Sequence, residues 1–207
     1  TEVNRRTLLQ KYNAIARLLY KLDYAVPSDH DDVKSAIKRL ITEIWHTNEL
    51  HRKKPTPLDE ARAGLLIFEQ QIWDAVPKFL RSLNHSLKKH TDKALPIEAS
   101  PVRFGSWMGG DRDGNPNVTP ETTQKTWAMA RWIAAELYWK EIDALRSELS
   151  LAQGSSELMA VVGDVQEPYR VLLRTVRDRL DRTRTWAALR MKGQNIPAND
   201  VYQSIDE

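Results

Sequence analysis

Ser106-Trp-Met-Gly-Gly-Asp-Arg-Asp-Gly-Asn-Pro-Asn-Val-Thr119 gathers three glycines, a proline and the side chains of Asp111, Arg112, Asp113 and Asn115 into one short loop. The apolar run Val102–Met108 leads into it, and Thr119-Pro120-Glu121 follows as a helix start, with threonine as N-cap and proline at the first helical position. Residues 102–107 read as the one strand of the chain. Glycine lets backbone approach a ligand and adopt positive φ, so Gly109 and Gly110 can shape a loop that holds an anion. The same residues also suit a tight structural turn, in which Asp and Asn side chains bond their own backbone. Strand, glycine-rich loop and helix in succession form the βα unit of a β/α barrel, where functional groups lie at the C-terminal ends of strands.

Outward from the loop, apolar spacing predicts helix almost everywhere. Leu8, Tyr12, Ile15, Leu19 and Leu22 define one from Glu2 to Tyr24. Val33, Ile37, Leu40, Ile41 and Ile44 define a second, which ends before Lys53-Lys-Pro-Thr-Pro57. Ala61, Leu65, Phe68 and Ile72 define a third, which Pro77 should kink or split. The helix from Thr119 to about Leu149 carries the stripe Trp127, Ala130, Ala134, Leu137, Leu145, Leu149. A short helix runs from Ser155 to Gly163. The last runs from Pro168 to Gly193, with Tyr169, Leu172, Val176, Leu180, Thr183 and Ala187 on one face. The tail after Gln194 is polar and reads as unfinished. The fold class is therefore mainly α, with about one strand at 102–107, and the chain reads as a single piece without an independent second domain.

Several function classes are disfavoured. The chain has no cysteine, so disulfides are excluded. No apolar run approaches membrane-spanning length. The net charge of +3 is too mild to imply nucleic acid. Residues 167–192 do hold 8 basic and 3 acidic side chains. That arginine stripe is a solvated face or a surface meeting other protein, and its aromatics do not interleave with the arginines as stacking platforms need. Asp111-x-Asp113-x-Asn115 suggests a helical calcium-binding or scaffold module as the alternative. A calcium loop, however, needs glycine sixth and glutamate twelfth, where this chain has Pro116 and Thr122. The five histidines show no metal spacing.

The 106–119 loop resembles the signature of the phosphoenolpyruvate carboxylases. Thr1-Glu-Val-Asn-Arg-Arg-Thr-Leu8 resembles the segment after that family's catalytic His-Pro-Thr histidine. Trp45-His-Thr-Asn-Glu49, Pro55-Thr-Pro-Leu-Asp-Glu60, Val76-Pro-Lys-Phe-Leu80, Ser147-Glu-Leu-Ser150 and Glu167-Pro-Tyr-Arg170 resemble family helices. One departure is Gly105, where many relatives carry Ser or Thr. The resemblance implies an internal fragment of a large β/α-barrel enzyme, inactive by itself, whose histidine lies just before Thr1. The parent would be a cytoplasmic, allosteric homo-oligomer, a homotetramer. It would carboxylate phosphoenolpyruvate with bicarbonate to oxaloacetate and phosphate, using Mg²⁺ or Mn²⁺ on ligands outside this chain.

The resemblance also assigns residues. Arg5 and Arg6, which by position alone could be solvated or paired with Glu2, become anion-binding. Trp107, otherwise a core candidate, becomes an apolar wall that shelters an enolate from water. Arg112 becomes substrate-facing, paired with or oriented by Asp113. Gly109, Gly110, Asp111, Asp113 and Asn115 shape the loop. No catalytic residue and no metal ligand is assigned within the chain.

Overall fold

A computed structural model of the chain describes residues 2–24, 26–47 and 54–203, with side chains from Thr7 onward in those spans apart from Pro27. The described residues form helices joined by irregular segments: α1 (Glu2–Tyr24), a 3₁₀ turn (Pro27–Asp29), α2 (His30–Trp45), α3 (Pro57–Ile67), a π turn (Phe68–Ile72), α4 (Trp73–Thr91), α5 (Pro120–Glu148), α6 (Ser156–Val162) and α7 (Pro168–Met191). The chain divides into two compact units, residues 1–63 and 64–207.

In the first unit α1 packs on α2. Leu8 and Val33 are its buried apolar anchors, and Lys11 pairs with Glu43 at 3.1 Å. The packed face of α1 differs from the expected stripe. Ile15, Leu18 and Leu22 are half-buried, while Tyr12 and Leu19 are exposed. The Pro55–Glu60 segment is more than a connector. Thr56 Oγ1 accepts the Asp59 N–H at 3.2 Å, and Asp59 Oδ2 accepts the Thr56 N–H at 3.0 Å. This reciprocal cap satisfies two otherwise orphaned donors and starts α3.

The second unit is built on the α5–α7 pair. Its buried positions mix small and large side chains: Ala128, Met129, Ala135 and Leu137 on α5, and Pro168, Leu180, Thr183, Trp186 and Ala187 on α7. Short side chains let two helix backbones approach closely. The stripe expected on α5 is correct at Leu137, but Trp127 is 53% exposed and Leu145 is also exposed. Spacing alone could not tell the buried Ala128 and Ala135 from the exposed Ala134 and half-buried Ala130.

Two further expectations are corrected. Residues 101–107 are irregular backbone, not a strand. A strand is completed by a partner's hydrogen bonds, and no strand exists among the described residues. The tail after Gln194, read as polar and unfinished, packs on α7 through residues 196–202. Val201 is 3% exposed and joins Trp186 and Ala187 in a core, with Trp132, Ile196 and Ala198 packed against it. Trp186 Nε1 donates to the Ile196 carbonyl at 3.2 Å, and Tyr202 N–H donates to Thr183 Oγ1 at 3.0 Å.

Pro77 lies within α4, and the disruption falls one turn earlier. The Trp73 N–H donates to the Phe68 carbonyl, five residues back. Pro77 has no N–H to offer the Trp73 carbonyl, and its ring crowds that oxygen. A π turn just upstream is one way for a helix to absorb such a conflict.

Candidate functional site

The 106–119 loop is pinned on both sides within the second unit. On one side Met108 fills the notch at Gly64 of α3, where an added Cβ would lie only 2.1 Å from the Met108 methyl carbon. On the other side Gly109 rests on the first turns of α5. Its φ of +71° is left-handed, and an added Cβ would fall 2.2 Å from Thr126 Oγ1. Thr123 Oγ1 donates to the Gly109 carbonyl at 2.7 Å.

Between these anchors the chain turns twice. The Trp107 carbonyl accepts the N–H groups of Gly110 and Asp111 at 3.0 and 2.9 Å. The Arg112 carbonyl accepts the Asn115 N–H at 2.6 Å across Asp113 and Gly114, both with positive φ. Asn115 Oδ1 accepts the Asn117 N–H at 3.0 Å, a side-chain turn of the kind asparagine favours. Thr119 Oγ1 accepts the Thr122 N–H at 3.2 Å, and buried Val118 ties the loop exit to the helix it caps. Of the two adjacent glycines only Gly109 needs to be one. Gly110 has no positive φ, and a Cβ there would meet only the Trp107 carbonyl at 3.7 Å.

The turns point side chains outward. Trp107 is 74% exposed, so its indole is not part of this unit's core. Asp111, Arg112, Asp113 and Asn115 are all exposed. The expected Arg112–Asp113 ion pair does not form; among the described residues Arg112 has no carboxylate within 4.0 Å. No group of three or more His, Cys, Asp or Glu side chains among the described residues is placed to hold a metal. Arg5 and Arg6 fall on α1, and their side chains lie outside the described residues.

Behind Phe104 and Ser106 lies an apolar groove of about 900 Å³ between α4 and α5. Phe68 and Phe104 meet edge to face with centroids 5.1 Å apart, and Trp73 meets Tyr138 at 4.9 Å. Trp73 Nε1 donates to Glu141 at 3.1 Å.

Several arginines of the 167–192 stripe serve the fold, Arg170 and Arg177 among them. Arg170 donates to the carbonyls of Arg146 and Ser147 at 3.0 and 3.2 Å, which have no partner inside α5. It also pairs with Glu167 at 2.8 Å, and Glu167 accepts the Ser150 hydroxyl at 2.7 Å. The Ser150 hydroxyl, aided by Arg170, holds the Glu167 carboxyl below its ordinary value. Arg177 pairs with Asp143 of α5 at 3.2 Å and with Asp178 at 3.1 Å. Hydrogen bonds from Arg146 and then Arg177 hold Asp143 below its ordinary value too. The Ser147–Ser150 and Glu167–Arg170 segments, distant in sequence, thus form one cap. Sequence reasoning missed this, because a helix-spaced arginine looks the same whether it faces water or a neighbouring helix end.

A family model described as phosphoenolpyruvate carboxylase matches residues 1–207. The chain is 49% identical, over 98% of its length, to the phosphoenolpyruvate carboxylase of Ectopseudomonas mendocina (strain ymp). It is 48% identical over 97% to that of Marinobacter nauticus, and 50% identical over 97% to that of Pseudomonas putida KT2440. It spans about 23% of the length of each of these relatives.

Proposed function

We propose, because this chain belongs to the phosphoenolpyruvate carboxylase family, that the polypeptide carrying it converts phosphoenolpyruvate and bicarbonate to oxaloacetate and phosphate. The observation that carries the reading is the family match across all of residues 1–207, signature loop included. In the reaction a bicarbonate oxygen takes the phosphoryl group, leaving an enolate and carboxyphosphate. Carboxyphosphate releases CO₂, whose carbon the enolate methylene then attacks.

This chain would contribute positioning and shelter. Trp107 would wall the enolate carbon from water, a role its exposed indole on a pinned turn supports. Arg112, exposed and without a carboxylate partner among the described residues, would face substrate anion charge. Arg5 and Arg6 would bind phosphate-bearing ligands. The irregular 101–107 segment would join the parent's β/α barrel, with its helices as decoration. The reaction's Mg²⁺ or Mn²⁺ would be held by residues elsewhere in the parent; among the described residues no group of three or more His, Cys, Asp or Glu side chains is placed to hold it. Among the described residues no helix is long and apolar enough to cross a membrane. A cytoplasmic, allosterically regulated homotetramer is the assembly we propose.

The test is direct. The full-length polypeptide, given phosphoenolpyruvate, bicarbonate and Mg²⁺, should form oxaloacetate at a rate that depends on bicarbonate. Turnover of phosphoenolpyruvate without bicarbonate-dependent oxaloacetate would overturn the reading.

A further inference from the structure

We infer that Thr123 is a positioning residue for the signature loop: its hydroxyl holds the Gly109 carbonyl and so sets the turn from which Trp107 projects. The geometry is specific. Thr123 Oγ1 lies 2.7 Å from Gly109 O and 3.3 Å from Thr119 O, its own-helix alternative. The shorter bond goes to the loop, across fourteen residues of sequence. Gly109 has a left-handed φ of +71° and sits against Thr126 with no room for a Cβ. The peptide of the Gly109 carbonyl also carries the Gly110 N–H, which with the Asp111 N–H closes the turn onto the Trp107 carbonyl.

Each neighbouring contact leaves this task to Thr123. Thr122 Oγ1 is spent on the Asn117 carbonyl at 3.0 Å, and Thr119 on the helix cap. Thr126 Oγ1 touches Gly109 without a hydrogen bond. Thr123 is therefore the side chain of α5 that bonds the loop between Trp107 and Asp111. Its effect on catalysis rests on the proposed activity; its effect on the loop does not.

The experiment uses the full-length polypeptide with Thr123→Val, which keeps the shape and removes the hydroxyl, and Thr123→Ser, which restores it. Hydrogen exchange without substrate should show Gly110 and Asp111 exchanging about fivefold faster in the valine variant, the worth of one neutral hydrogen bond. The serine variant should match wild type, and amides 130–148 should be unchanged in both. Unchanged exchange at Gly110 and Asp111 in the valine variant, or acceleration spread evenly along α5, overturns the inference. In the carboxylase assay the valine variant should release more pyruvate per oxaloacetate, with serine restoring the ratio. A wild type that forms no oxaloacetate sinks the proposed activity, while the exchange measurement still decides the role of Thr123.

Discussion

A methyl group on Gly109 would sit 2.2 Å from Oγ1 of Thr126 and 3.0 Å from its Cβ. Rotating the Thr126 side chain could move its hydroxyl, but its Cβ is fixed by the helix backbone and stays in the way. Gly109→Ala therefore combines a left-handed backbone cost of about 1–2 kcal/mol with overpacking of about 1–3 kcal/mol. Gly105 is the control, because its φ is not positive and nothing lies within 4 Å of an added Cβ. Thermal melts should show Gly109→Ala well below wild type and Gly105→Ala beside it. Equal melting temperatures for all three would refute the close approach.

Asp143 links pH to the α5–α7 pair. Its carboxyl is depressed by Arg146 and Arg177, so its contribution is complete above the unfolded value of about 3.9. That contribution is lost as pH falls through the lower folded value. Asp143→Asn should melt below wild type at neutral pH, and the gap should close below about pH 4. A gap of the same size at pH 3 and pH 7 would rule out this linkage.

Arg170 closes the end of α5. Arg170→Met keeps the stem but strands two carbonyls and leaves the Glu167 carboxylate with the Ser150 hydroxyl but not the guanidinium. The expected loss is about 1–3 kcal/mol, read by urea unfolding. Arg170→Lys should recover only part of it, because an ammonium cannot span the same acceptors as a planar fork. Full recovery by lysine would show that charge alone matters there.

How much of this could be read in the chain depends on how local each signal is. Thr119-Pro120, Ser155 and Gly193 mark helix ends through local chemistry, hydroxyl caps at Thr119 and Ser155 and a left-handed glycine at 193, and the structure places the ends there. The positive φ at Gly109 and Gly114 is likewise a property of single residues. What escaped is pairwise. No property of Val102–Trp107 announces whether a neighbouring strand will accept its hydrogen bonds. The burial of Val201 depends on Trp186, fifteen residues earlier. Trp107 shows the limit most clearly, since a tryptophan after an apolar run fits core and exposed wall equally well.

Trp107→Phe separates those two roles in the full-length polypeptide. The indole is exposed in this chain, so the fold should survive. Under the proposed activity the smaller ring admits water to the enolate, and pyruvate should rise relative to oxaloacetate. An unchanged product ratio in a folded variant would remove Trp107 from the wall.

Arg5→Ala and Arg6→Ala test the proposed anion role. Each should weaken phosphoenolpyruvate or a phosphorylated activator by about tenfold, since a charge-assisted hydrogen bond is worth about 1.5–3 kcal/mol. Normal kinetics and normal effector response in both variants would reduce the pair to surface charge.

The π turn at Phe68–Ile72 holds one residue more than an α-helical turn, because the Trp73 N–H reaches back five residues to the Phe68 carbonyl. Deleting one of the inner residues Glu69–Gln71 would turn that bond into an ordinary α-helical one and leave α4 facing as it does. Trp73 would keep Glu141 and Tyr138, which it now meets at 3.1 and 4.9 Å. Adding one residue would instead turn α4 by about 100° and carry Trp73 away from both. The stretch has spare length to lose and none to gain.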